Sequence, residues 1–242
     1  MKNELPIRIR RNFSFSMLEV RHMLIIVAIL ALFLGFDDGR PDFVLPLWLW
    51  NMFTAFLIVL LSVMLHLTMI KIVALFKGYP VKFKMFLYGI GGGALFGLAS
   101  LGRLPLFAPY ELEFSLHEGY RLGRWRMRMN YNEMATAAIA GPLMSLIMAI
   151  FFKLLYQINP SFVILNAIRM NVFLAVGTML PIPKIPGGHV IYSSIGYYAF
   201  AMTLVCGIGI SLMFINVIPA LLFGIGIAVM AGLAIFFKYD YH

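Results

Sequence analysis

The sequence predicts an all-α, polytopic integral membrane protein, and three observations carry that expectation. Of its 242 residues, 62% are hydrophobic and 12% are charged, where a soluble domain carries about a quarter charged residues to solvate its surface. Mean hydropathy is +0.92. The apolar residues also fall into runs long enough to cross a bilayer, which takes about 20 residues of helix. No internal repeat or low-complexity linker divides the chain, so residues 1–242 read as a single membrane domain.

The first run, Met23 to Phe36, is short unless Phe13 to Val20 lead into it. No small-residue cleavage site closes it, so it reads as a retained helix rather than a signal peptide. The acidic FDDGRPD follows. The second run, Val44 to Phe76, crosses with residues to spare and ends at KGYPVKFK. YGIGGGALFGLAS is too short and too glycine-rich to span, and its small residues suit close packing between membrane segments. The one long polar segment is residues 102–133, with RLGRWRMR at its basic end. Further spans are expected at Met134 to Tyr156, Phe162 to Leu180, Val190 to Ile210 and Asn216 to Phe237, about six in all.

The net charge of +9 follows the same plan. The N-terminal tail (1–20), Lys77 to Lys84, Arg121 to Arg128, Lys184 and Lys238 are basic, and Lys and Arg concentrate in cytoplasmic loops. That rule puts both termini and the 102–133 loop in the cytoplasm, and makes the bilayer, not nucleic acid, the partner of the charge. Cys206 is the single cysteine, so neither an internal disulfide nor a Cys-rich zinc cluster is available. Trp48 and Trp50 fit an interfacial aromatic belt.

Polar residues inside apolar runs are costly and invite a functional reading. His66 lies ten residues before Phe76, about 15 Å along a helix axis. Zinc catalysis needs three protein ligands and an open position, and one turn on from His66 stand Met69 and Ile70. Arg169 and Asn171 lie early in the fourth span, where a long Arg side chain snorkels to the interface.

Several stretches resemble one known family. HLTMIKIVALFKGYPVKFKMFLYGIGGG resembles the segment of site-2 protease homologues, the archaeal type especially, that opens with H-E-x-x-H and continues through a Gly-Tyr step into an extended, hairpin-like stretch. AAIAGPLMSL resembles their Ala-Gly-Pro-Leu-x-Asn helix start. VFLAVGTMLPIPKIPGGH resembles their N-L-L-P-I-P-P-L-D-G-G/S-K/R, and FSMLEVRHMLIIVAILAL their entry to the first span. The resemblance runs in order over nearly the whole chain. It implies a site-2-protease-like arrangement of the spans, a short β-hairpin-like segment after the second span, and the remains of an intramembrane zinc site.

In that family two His at i and i+4 hold zinc, the Glu between them is the general base, and a later carboxylate is the third ligand. Matched position by position, His66 stands at the first histidine, Leu67 at the base, Ile70 at the second histidine and Pro186 at the carboxylate. Ser145 stands where an Asn is usual. Gly141, Pro142, Pro181, Pro183, Gly187 and Gly188 keep the scaffold motifs. Three of the four primary groups are thus apolar. No catalytic residue, metal or other cofactor is expected.

His189, three residues past Pro186, could approach His66, but the pair falls one ligand short and lacks a base. His117 and Glu118 sit in the polar loop, His22 begins the first span and His242 ends the sequence. The leading reading is a pseudoprotease that binds transmembrane or extended peptide segments without cleaving them. Two others stay open: an active metalloprotease with relocated zinc ligands, and a small transporter or channel.

Overall fold

The computed structural model describes residues 13–37, 40, 42–99, 107–115 and 130–239. Within them are eight helices and a two-stranded sheet. The helices are α1 (Met17–Gly35), α2 (Leu45–Lys77), α3 (Leu87–Ala99), α4 (Tyr131–Ile158), α5 (Phe162–Thr178), α6 (Pro186–Ser193), α7 (Ile195–Phe214) and α8 (Val217–Tyr239), and the strands are β1 (Val81–Met85) and β2 (Tyr110–Phe114). Five helices are long and apolar enough to cross a membrane: α1, α2, α4, α7 and residues Val217–Ile235 of α8. This is the architecture of a membrane protein.

Local chemistry sets the helix ends. Ser16 opens α1 with a capping box, its hydroxyl accepting from Glu19 N–H while the Glu19 carboxylate accepts from Ser16 N–H. The first span is therefore a 19-residue helix beginning at Met17, longer than the Met23 to Phe36 run, and residues 17–20 of the expected tail belong to it. Gly78, left-handed at φ 87°, stops α2. With 33 residues α2 is about 50 Å long, well beyond a hydrocarbon core of about 30 Å.

Two expected elements are corrected. The Val190 to Ile210 span is two helices, because Ser194 is extended (φ −163°, ψ 134°), ending α6 and capping α7 through Tyr197 N–H. The close packing expected of the glycine run does not hold at Gly91 and Gly92, which face open space; Gly89 makes the close approach in α3, against the Ala108 carbonyl. The fourth expected span is α5, whose 17 residues cover about 26 Å.

α4 is the central element, 56% of its span buried against 17% for α8. It packs on α2, α5, α6 and α7, while α8 lies on α7. Ile218, Leu222, Met230 and other large apolar side chains of α8 are exposed, as a lipid-facing surface requires.

β1 follows α2 directly, as the extended stretch was expected to do. Its partner is not adjacent, however: β2 lies beyond α3, within the segment expected to be a polar loop. The strands are antiparallel, with Phe83 opposite Leu112 and Met85 opposite Tyr110. Alternation gives the sheet a charged face, where Lys84 meets Glu113 at 2.6 Å, and an apolar face carrying Val81, Phe83, Tyr110 and Leu112.

Candidate functional site

Ser62, His66 and Ile70 follow one another at intervals of four along one face of α2, and all three are buried. His66 is fully enclosed. Its Nδ1 lies 2.6 Å from the Ser145 hydroxyl of α4, and its Nε2 is hydrogen-bonded to the Tyr110 hydroxyl of β2. A neutral imidazole has one N–H donor and one lone-pair acceptor. One hydroxyl therefore donates to the ring and the other accepts from it, and both ring nitrogens are satisfied. The three groups join α2, α4 and β2 at one buried point.

The backbone of α4 closes the remaining side. A Cβ placed on Gly141 would lie 2.5 Å from His66 Nε2 and 2.6 Å from Ile70 Cδ1, so a side chain there would displace both. Glycine lets α4 lie directly on the 66/70 face of α2. Pro142, next to it, removes one helical N–H donor from the middle of α4.

Tyr110 reaches His66 because the chain ahead of it is wedged. The Phe107 carbonyl abuts Gly177 of α5 and the Ala108 carbonyl abuts Gly89 of α3, close approaches that any Cβ would block. Tyr110 then points from the apolar face of β2 into the bundle, 1% exposed. Burial pushes its hydroxyl pKa well above the usual value, so it serves as a neutral phenol.

The LPIPKIPGGH turn lies on the other edge of β2. Leu112 N–H donates to the Lys184 carbonyl at 2.7 Å, and His189 Nε2 lies 3.4 Å from the Leu112 carbonyl. Lys184 adopts φ 70°, Pro181 and Pro183 are exposed, and Pro186 is buried as the first residue of α6. Gly187 and Gly188 fit against the carbonyls of Leu180, Met179 and Ile182. His189 is thus held by the strand and by the Phe114 ring, 5.0 Å between centroids, and both His66 nitrogens are engaged elsewhere. Burial lowers the His189 pKa.

Among the described residues, the other polar residues singled out from the sequence make no hydrogen bond to His66. Arg169 is exposed, its Nη1 3.5 Å from Asn166 Oδ1. Asn171 is buried and donates to Ser62 Oγ at 3.0 Å and to the Ala167 carbonyl. Trp48 donates to the Phe36 carbonyl, Trp50 is exposed and Cys206 is half-buried. His117, Glu118, RLGRWRMR and His242 lie outside the described residues.

Sequence reasoning missed Tyr110, although YELEF carries the alternating pattern of a strand. It also missed the ion pair between Glu19 and Lys71, 2.8 Å apart and both buried.

At the matched positions the residues do not fit a zinc ion. Leu67, Ile70 and Pro186 carry no ligand atom and both nitrogens of His66 are engaged. Among the described residues no three His, Cys, Asp or Glu side chains gather to hold a metal. Comparison of the chain with protein-family models, with curated proteins and with solved structures finds no match.

Proposed function

We propose that the chain is a pseudoprotease, a catalytically silent homologue of the site-2 proteases that holds transmembrane or extended peptide segments in the membrane without cleaving them. One observation carries the reading: the His66 imidazole is bonded on both sides by the hydroxyls of Tyr110 and Ser145. Peptide hydrolysis on this scaffold needs an activated water and a charge that polarises the scissile carbonyl. The Tyr110 and Ser145 hydroxyls instead use the histidine as a structural tie. Two of the matched positions support it: Ser145 bonds His66 and Gly141 packs on His66 and Ile70, while the 180–189 turn docks at Leu112 on the strand that supplies Tyr110. The six-span arrangement, with both termini in the cytoplasm, belongs to the same reading and rests on the distribution of Lys and Arg.

Restoration tests the proposal. Leu67→Glu, Ile70→His and Pro186→Asp, combined with Tyr110→Ala to free His66 Nε2, should create stoichiometric zinc binding. A folded quadruple variant that takes up no zinc would count against the match of these positions to a metal site.

A further inference from the structure

The outer edge of β1 is closed from within the chain. Ladder bonds run from Ser115 N–H to the Pro80 carbonyl and from Phe86 N–H to the Pro109 carbonyl, while Leu112 N–H leaves the ladder for Lys184. In antiparallel pairing these alternate, so Val81, Phe83 and Met85 turn their backbone groups away from β2. Such an edge is a template for another extended segment. Its central donor, Phe83 N–H, is taken by Glu19 Oε1 at 3.2 Å.

Glu19 stands where the carbonyl of a pairing strand would stand. It is 4% exposed, and a buried carboxylate needs a counter-charge. Lys71 supplies it at 2.8 Å, donates also to the Ser14 carbonyl at 2.8 Å, and lies 4.3 Å from the centre of the Phe15 ring. Phe15 in turn meets Phe83 edge to face at 5.9 Å. A helix cap requires none of this, since the Ser16 and Glu19 box is complete without Lys71 or Phe83. Beside the edge is a cavity of about 120 Å³ whose lining includes Ser14, Ser16, Glu19, Lys71, Pro80 and Lys82. Among the described residues Lys82 has no ion-pair partner, leaving a cation at the cavity for an acidic group.

We propose that residues 13–19 are an internal occupant of the β1 edge, and that Glu19, held by Lys71, keeps the edge closed until an extended segment bearing an acidic side chain displaces it. The displacement half rests on the peptide-holding reading above; the closure half does not. Glu19→Leu with Lys71→Met removes both charges and leaves neither buried alone.

In the full chain in lipid nanodiscs, amide exchange at Phe83 should rise about tenfold, as for one lost hydrogen bond, with Leu112 unchanged. The variant should also capture a short Val/Thr-rich peptide carrying one Glu, and a matched peptide carrying Lys should bind less. Phe15→Ala, which spares the ion pair, is the milder second variant and should raise Phe83 exchange about threefold. Unchanged Phe83 exchange in the folded variants, or an equal rise at Leu112, overturns the closure. Faster exchange with no peptide capture leaves the closure standing and overturns displacement. Equal capture of both peptides overturns the acidic requirement.

Discussion

Tyr110→Phe isolates the hydroxyl that engages His66 Nε2. The ring stays, so the change leaves no large cavity and removes one hydrogen bond at a fully buried point. Two magnitudes bound the effect. Interhelical side-chain hydrogen bonds in membrane proteins couple by about 0.6 kcal/mol on average. A buried polar atom left without any partner costs about 1–3 kcal/mol. The second governs here, because His66 is fully buried, with Gly141 packed close to Nε2 and Tyr110 its partner there. The expected loss is therefore about 1–2 kcal/mol.

Reversible unfolding in mixed detergent micelles measures the loss. Ser145→Ala and the double variant complete a cycle, whose coupling should exceed about 0.5 kcal/mol because both hydroxyls act through one ring. A Tyr110→Phe loss below about 0.3 kcal/mol, or strict additivity with Ser145→Ala, would refute the tie.

Two further substitutions probe the same region. Gly141→Ala should destabilise the protein by up to about 2 kcal/mol: overpacking against His66 and Ile70 costs about 1–3 kcal/mol and Ala regains about 1 kcal/mol of helix propensity. Greater thermal stability would show that α2 and α4 do not lie this close. His189 predicts a pH dependence. Burial lowers its folded pKa below the ordinary 6.5, so the folded state favours the neutral ring. Stability is then fully present above 6.5 and is lost as pH falls from there through the folded value. Melting curves between about pH 7.5 and 5 should show this loss, and His189→Gln should flatten it; an unchanged slope in that variant would assign the loss to another group.

Much of the fold is written locally in the sequence. The runs that become α2, α4 and α8 are plain from hydropathy, and the Ser16-x-x-Glu19 signature marks where α1 begins. Gly78 ends α2 by the conformation that glycine allows. What escaped is non-local. Tyr110 is 44 residues from His66, and Ser145 is 79 residues from it. No periodicity links such pairs. Ser145 drew notice only as the residue standing where an Asn is usual, and the structure makes it the hydrogen-bond partner of His66. β2 hid in a polar segment because Glu111 and Glu113 supply the charged face of a strand whose partner lies beyond α3. The break at Ser194 escaped for a different reason: hydropathy runs straight through it, and an extended backbone at one residue divides α6 from α7.

The central claim is that His66 is a hydrogen-bonded tie and not a metal ligand. Zinc content of the chain, purified with zinc present throughout and then washed free of loose ions, tests it most directly. The account predicts no bound zinc above the level in a His66→Leu variant. Stoichiometric zinc that disappears with His66→Leu would contradict it.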